Sequence, residues 1–138
     1  MKAILSVFFL KLPVWALVIG VLTLTGCSSR SAKQVDINAL LTSPAQYEMK
    51  EMTVSGILAW RLELHALFQS GDALASGRGD MSIWLHVNSE VIGDISALQG
   101  KLVAVTGVFR YSEQPAFGHL GGWRYELTDV KSISLVQK

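Results

Sequence analysis

Met52-Thr53-Val54-Ser55-Gly56-Ile57-Leu58-Ala59-Trp60 divides its side chains into two sets, with Met52, Val54, Gly56, Leu58 and Trp60 on one face and Thr53, Ser55, Ile57 and Ala59 on the other. A period of two is the pattern of a β-strand. The middle of this stretch recurs downstream: Val54-Ser55-Gly56-Ile57-Leu58 is echoed by Val105-Thr106-Gly107-Val108-Phe109, and both copies carry a glycine at mid-strand. A strand in a small closed barrel must bend sharply, and a Cβ at the bend would clash, so the two glycines point to a barrel. The alternative is that each glycine marks a bulge in an open sheet.

Residues 64–69 alternate again, with Leu64, Ala66 and Phe68 facing one way and Glu63, His65, Leu67 and Gln69 the other. Residues 82–87 give a third strand, its apolar face Ile83, Leu85 and Val87 and its other face Ser82, Trp84 and His86. Between these two strands, Gly71, Gly77 and Gly79 predict a long mobile loop. In residues 88–98, Val91, Ile92, Ile95 and Leu98 fall at helical spacing, with Ser89 as cap and Gly100 as stop. Residues 101–111 form a fourth strand and residues 123–136 contain a fifth. Upstream, Asp36 caps one or two helical turns that Ser43-Pro44 ends.

The order strand, strand, strand, helix, strand, strand in about 100 residues resembles the OB-fold, a five-stranded Greek-key barrel. The fold class expected is therefore mostly β, an OB-fold-like barrel with a short helix between strands three and four and a short N-terminal helix. Gly118-His119-Leu120-Gly121 adds a likeness to small bacterial envelope proteins with an OB-like domain, in which a Gly-His-aliphatic-Gly element precedes the last strand. That likeness covers residues 45–136 and implies no catalytic residues.

The N-terminus carries its own signal. Lys2 and Lys11 precede an apolar run of about 14 residues, shorter than the roughly 20 that a helix needs to cross a bilayer. Leu24-Thr25-Gly26-Cys27 follows and resembles the lipobox of bacterial lipoproteins. The resemblance implies cleavage before Cys27, lipidation of its thiol and acylation of the freed amine. Its several acyl chains then anchor the chain in a membrane. Ser28 and Ser29, in place of an aspartate, imply sorting to the outer membrane, facing the periplasm, with inner-membrane retention as the alternative. The organisation expected is a signal peptide over residues 1–26, a flexible lipid tether over residues 27–34 and a domain over residues 35–138.

Composition excludes several classes. The chain has 138 residues, which limits it to one domain, and Cys27 is its only cysteine, so no disulfide forms within it. Of the 12 Lys and Arg, two lie in the leader, leaving 10 basic against 11 acidic side chains in residues 27–138. Such a balance lacks the basic excess that phosphate backbones demand, so no nucleic-acid partner is expected. No phosphate loop, dinucleotide fingerprint or metalloprotease motif occurs, and neither a cofactor nor a resident metal is assigned.

OB-folds bind ligands across strands two and three, between the loops joining strands one to two and four to five. This places Trp84, His65, His86, Glu63, Gln69 and Arg61 on a candidate ligand face, unless the N-terminal helix covers it and makes Trp84 core. A register pairing Gln69 with Ser82 also pairs His65 with His86, and with Glu63 that trio could ligate zinc. The loop over residues 111–123 supplies Phe117 and His119, the latter either presented to a ligand or pinning a tight turn. Three readings follow. The first is a lipid-anchored, non-enzymatic domain binding a small ligand, glycan or protein partner. The second is a structural lipoprotein tethering an envelope complex, and the third a metal-dependent hydrolase using His65, His86 and Glu63.

Overall fold

The structure is a computed structural model that describes residues 31–137. The lipobox Leu24-Thr25-Gly26-Cys27, the leader and residues 27–30 of the expected tether lie outside the described residues. Six strands run in the order β1 (Lys33–Asp36), β2 (Glu51–Arg61), β3 (Leu64–Phe68), β4 (Ser82–Leu85), β5 (Leu102–Tyr111) and β6 (Tyr125–Leu135). The helices are α1 (Ile37–Thr42), α2 (Gly71–Ala75) and α3 (Ser89–Ile92).

Five strands close into a barrel, because β2 pairs with β3 along one edge and with β5 along the other. Around the barrel the order is β2, β3, β4, β6, β5, with β4 and β6 parallel and the other pairs antiparallel. The OB-fold-like barrel expected from the sequence is the fold observed. β1 is an addition, laid parallel against β2 with Val35 beside Val54. Among the described residues regular structure starts at Lys33, and Lys33 and Gln34, expected in the tether, belong to this strand.

The barrel core follows the alternation of the strands. Met52, Val54 and Leu58 of β2, Leu67 of β3, Ile83 and Leu85 of β4, Val103, Val105 and Phe109 of β5 and Leu127 of β6 are all buried in one cluster. At about 1.5–3 kcal/mol for each fully buried side chain, this cluster is the main source of stability. α1 adds Ile37 and Leu40 to it, with Asp36 accepting from the Asn38 amide as the predicted cap.

Both mid-strand glycines sit at close approaches. A Cβ on Gly56 would lie 2.7 Å from Leu67 Cγ and 2.7 Å from the Phe68 carbonyl oxygen. One on Gly107 would lie 2.8 Å from the Thr128 carbonyl oxygen. The barrel reading of the two glycines holds and the open-sheet alternative does not, although one of the two does face a bulge. The barrel is closed, and Gly107 also faces an irregularity, since pairing jumps from Thr106↔Ser132 to Val108↔Thr128 and leaves Asp129, Val130 and Lys131 opposite one glycine. Asp129 takes a left-handed conformation there, with φ of 48°.

Two predicted elements differ. The segment expected to be a mobile loop holds α2, capped by the Ser70 hydroxyl on the Ala73 amide, and a 3-10 turn at Gly79–Met81. Ala73 of α2 packs with Ala59, Ala66 and Phe68, the outward faces of β2 and β3, and so gives that segment a second small core. The single helix expected over residues 88–98 is split into α3 and a 3-10 turn at Ser96–Leu98, because Gly93 takes a φ of 59° and Asp94 accepts from the Ser96 amide. The α3 cap is Asn88, one residue before the predicted Ser89.

Gly56→Ala is expected to lower unfolding free energy by about 1–3 kcal/mol, the usual cost of overpacking, because its new methyl meets a backbone carbonyl. Gly71→Ala, with open space around it, serves as the control and should change little in the same urea titration.

Candidate functional site

Strand alternation sets the floor of a cleft. Tyr125 and Leu127 of β6 turn into the core, so Glu126 between them faces outward, beside Trp84 of β4 and opposite Arg110 of β5. The loop between β5 and β6 folds over this outer face. Phe117 and Trp123 bridge each other through backbone hydrogen bonds of 2.9 and 3.1 Å, and the Gly121 amide closes the turn onto the Gly118 carbonyl. Gly118 has a φ of 81°, and a Cβ there would lie 2.7 Å from Trp123 Cε3 and 3.2 Å from the Trp84 ring. Trp123 Nε1 donates to Ser82 Oγ at 2.9 Å, which ties the loop to β4. Ser82 in turn donates to the Gly79 carbonyl at 2.8 Å.

The result is a cleft of about 750 Å³ lined by Glu126, Arg110, Trp84 and His86 from the barrel, by Ala116, Phe117, Gly118 and His119 from the loop, and by Leu62, Glu63 and His65 from the β2–β3 connection and the start of β3. That volume falls within the range that holds small ligands. Six of the residues singled out in the sequence meet here: Trp84, His65, His86, Glu63, Phe117 and His119. Two do not. Gln69 turns away to donate to Asn38 of α1, and Arg61 is exposed at the end of β2.

The β3–β4 register differs from the expected one by a single residue. Phe68 pairs with Ser82 and Ala66 with Trp84, so His65 and His86 are not cross-strand partners. A one-residue shift moves side chains to opposite faces. α2 and the 3-10 turn set the register, through the bond from the Gln69 amide to the Met81 carbonyl just outside the last pair. His86 lies past the end of β4, with its amide on the Leu127 carbonyl, and reaches the cleft from there. Among the described residues, no three His, Cys, Asp or Glu side chains come together as a metal site, and the trio His65, His86 and Glu63 is not such a group.

Trp84 is buried, but what covers it is not α1. The β5–β6 loop lies over it, while α1 joins the barrel core. Its ring also continues a run of stacked aromatics. Trp60 stacks on His65 with centroids 3.9 Å apart, His65 on Trp84 at 5.7 Å, and Trp84 packs against Trp123 at 4.9 Å. His119 sits in a turn that the backbone bonds close, and its imidazole is exposed on the cleft wall.

Arg110 and Glu126 were not singled out from the sequence, yet they form the polar floor. Glu126 is only 4% exposed. Its carboxylate lies 3.5 Å from Arg110 Nη1 and 3.5 Å from His86 Nδ1, and the Arg110 guanidinium also sits over the Phe117 ring at 5.1 Å. The available signal was Glu126 alone among the apolar and aromatic residues that begin the last strand. An acid in such a place needs partners, and the β5–β6 hairpin puts Arg110 directly across.

With the geometry in place, similarity adds nothing to it: the chain matches no protein-family model, and none of the curated proteins is significantly similar to it. Among the described residues no helix is long and apolar enough to cross a membrane.

Burial holds the His65 imidazole below its ordinary value of 6.5, opposed in part by a backbone hydrogen bond at Arg61. The unfolded chain then takes up this proton at a higher pH than the folded one, so stability is full above 6.5 and is lost as pH falls from there toward the folded value. Urea midpoints should therefore drop on acidification through this window. His65→Phe, which keeps a ring between Trp60 and Trp84, should remove part of that drop, and an unchanged pH profile would refute the assignment.

Proposed function

We propose that this chain is a lipid-anchored envelope protein, held at the periplasmic face of the outer membrane through Cys27, whose OB-like domain binds a ligand without chemical turnover. The observation that carries the binding reading is the cleft itself. It is an open, part-aromatic cleft between the β2–β3 connection and the β5–β6 loop, with a buried carboxylate on its floor. Aromatic rings beside a few fixed polar groups suit a small ligand, a sugar unit of a glycan or a side chain of a protein partner. Support for the anchor is the sequence Leu24-Thr25-Gly26-Cys27.

The two halves of the proposal have separate tests. Cys27→Ser should leave the leader uncleaved and the protein unlipidated, seen as altered migration and loss from the outer-membrane fraction; wild-type processing would refute the anchor. For binding, native mass spectrometry of the protein extracted from envelopes should show a population carrying a bound molecule. His119→Ala, on the exposed turn, should reduce that population several-fold. If wild-type protein emerges bare, or His119→Ala keeps its full load, the cleft is not the binding site.

A further inference from the structure

The floor of the cleft selects the charge of what enters it. Glu126 is among the most deeply buried charged groups described, and its two neighbours, Arg110 and His86, both stand at 3.5 Å, well beyond the roughly 2.8 Å of a charge-assisted hydrogen bond. Those neighbours are also much more exposed than the carboxylate, and Arg110 is shared with the Phe117 ring. The carboxylate therefore has acceptor capacity that its own protein meets only loosely. Counting imidazoles as neutral, the lining carries Glu63 and Glu126 against Arg110, a net negative site. An anion entering it would have to compete with Glu126 for Arg110 while standing near Glu63. A protonated amine would share Glu126 with Arg110, but the second carboxylate, Glu63, would then act in its favour, and the Trp84 and Phe117 rings line the cleft beside it.

We propose that the cleft binds a primary ammonium group carried on a ring or apolar body, with Glu126 as its principal acceptor. This rests on the binding role proposed above and names the ligand class. Glu63, exposed at the cleft mouth, adds attraction without a fixed contact, and Arg110 and His86 hold the carboxylate in place while the cleft is empty. His86, being exposed at the edge, is free to swing aside when the ammonium arrives.

Three probes with one body and different heads test this: benzylamine, benzyl alcohol and benzoate, titrated into the full-length protein in detergent and followed by tryptophan fluorescence. Benzylamine should bind at least tenfold more tightly than either of the others, and Glu126→Gln should abolish that preference while leaving circular dichroism unchanged. Raised salt should weaken benzylamine binding to the wild type, a readout that needs no variant. If benzoate or benzyl alcohol binds as well as or better than benzylamine, the cleft is a site but its ligand class is wrong. If none of the three binds at millimolar concentration, the ammonium site fails, while a bound molecule in native mass spectra would leave the broader binding role standing. Retention of the preference in Glu126→Gln, with the fold intact, would remove Glu126 from the role given to it.

Discussion

Barrel closure rests on one strand that pairs along both edges. β2 carries the β3 ladder through its second half and the β5 ladder through its first, and the two ladders overlap at Ile57. Just before that overlap stands Gly56, where β3 comes within a distance that no side chain would permit. Across the β2–β5 ladder the hydroxyls of Thr53 and Thr106 hydrogen-bond at 2.8 Å on the outer side. Without closure, the β2–β3 connection and the β5–β6 loop would belong to distant parts of a sheet. With it, Glu63 and His119 line one cleft although 56 positions separate them in sequence.

The floor and the roof of the cleft depend on each other. A carboxylate taken from water costs several kcal/mol unless it is compensated, and on an open β4–β6–β5 face Glu126 would be solvated. It is buried because Gly118 and Trp123 bring the loop down onto Trp84, and the loop is held by the Trp123–Ser82 bond and by Arg110 on Phe117. Arg110 thus serves both parts at once, as counterion below and cation–π partner above. The aromatic run from Trp60 through His65 and Trp84 to Trp123 joins the barrel wall to the roof.

The strands were legible because burial imposes a period of two that single residues reveal, and the barrel was legible in the matched glycines of β2 and β5. Register was not. It depends on how α2 and the 3-10 turn fill the gap between β3 and β4, and three scattered glycines look the same whether such a segment is loose or packed. The one-residue difference dissolved the pairing of His65 with His86, yet both imidazoles still reach the cleft, since His86 leaves the ladder before its face matters. β1 was missed for a related reason: Lys33-Gln34-Val35-Asp36 is too short and polar to show alternation, and it is ordered only by the neighbouring β2. Arg110 and Glu126 were hidden because a charged pair on a hairpin becomes conspicuous only when something is seen to cover it.

The ladder that closes the barrel also dictates when the protein is able to fold. β2 waits for β5, about fifty residues later, and β4 waits for β6, its parallel neighbour some forty residues on. Such long-range pairings are slow to form, because the loop entropy is lost before the contacts reward it. A chain released only as far as α3 has β2, β3 and β4 with two unpaired sheet edges and half a core. The nascent polypeptide therefore stays open, with the outer edges of β2 and β4 exposed, until β5 and β6 are both available.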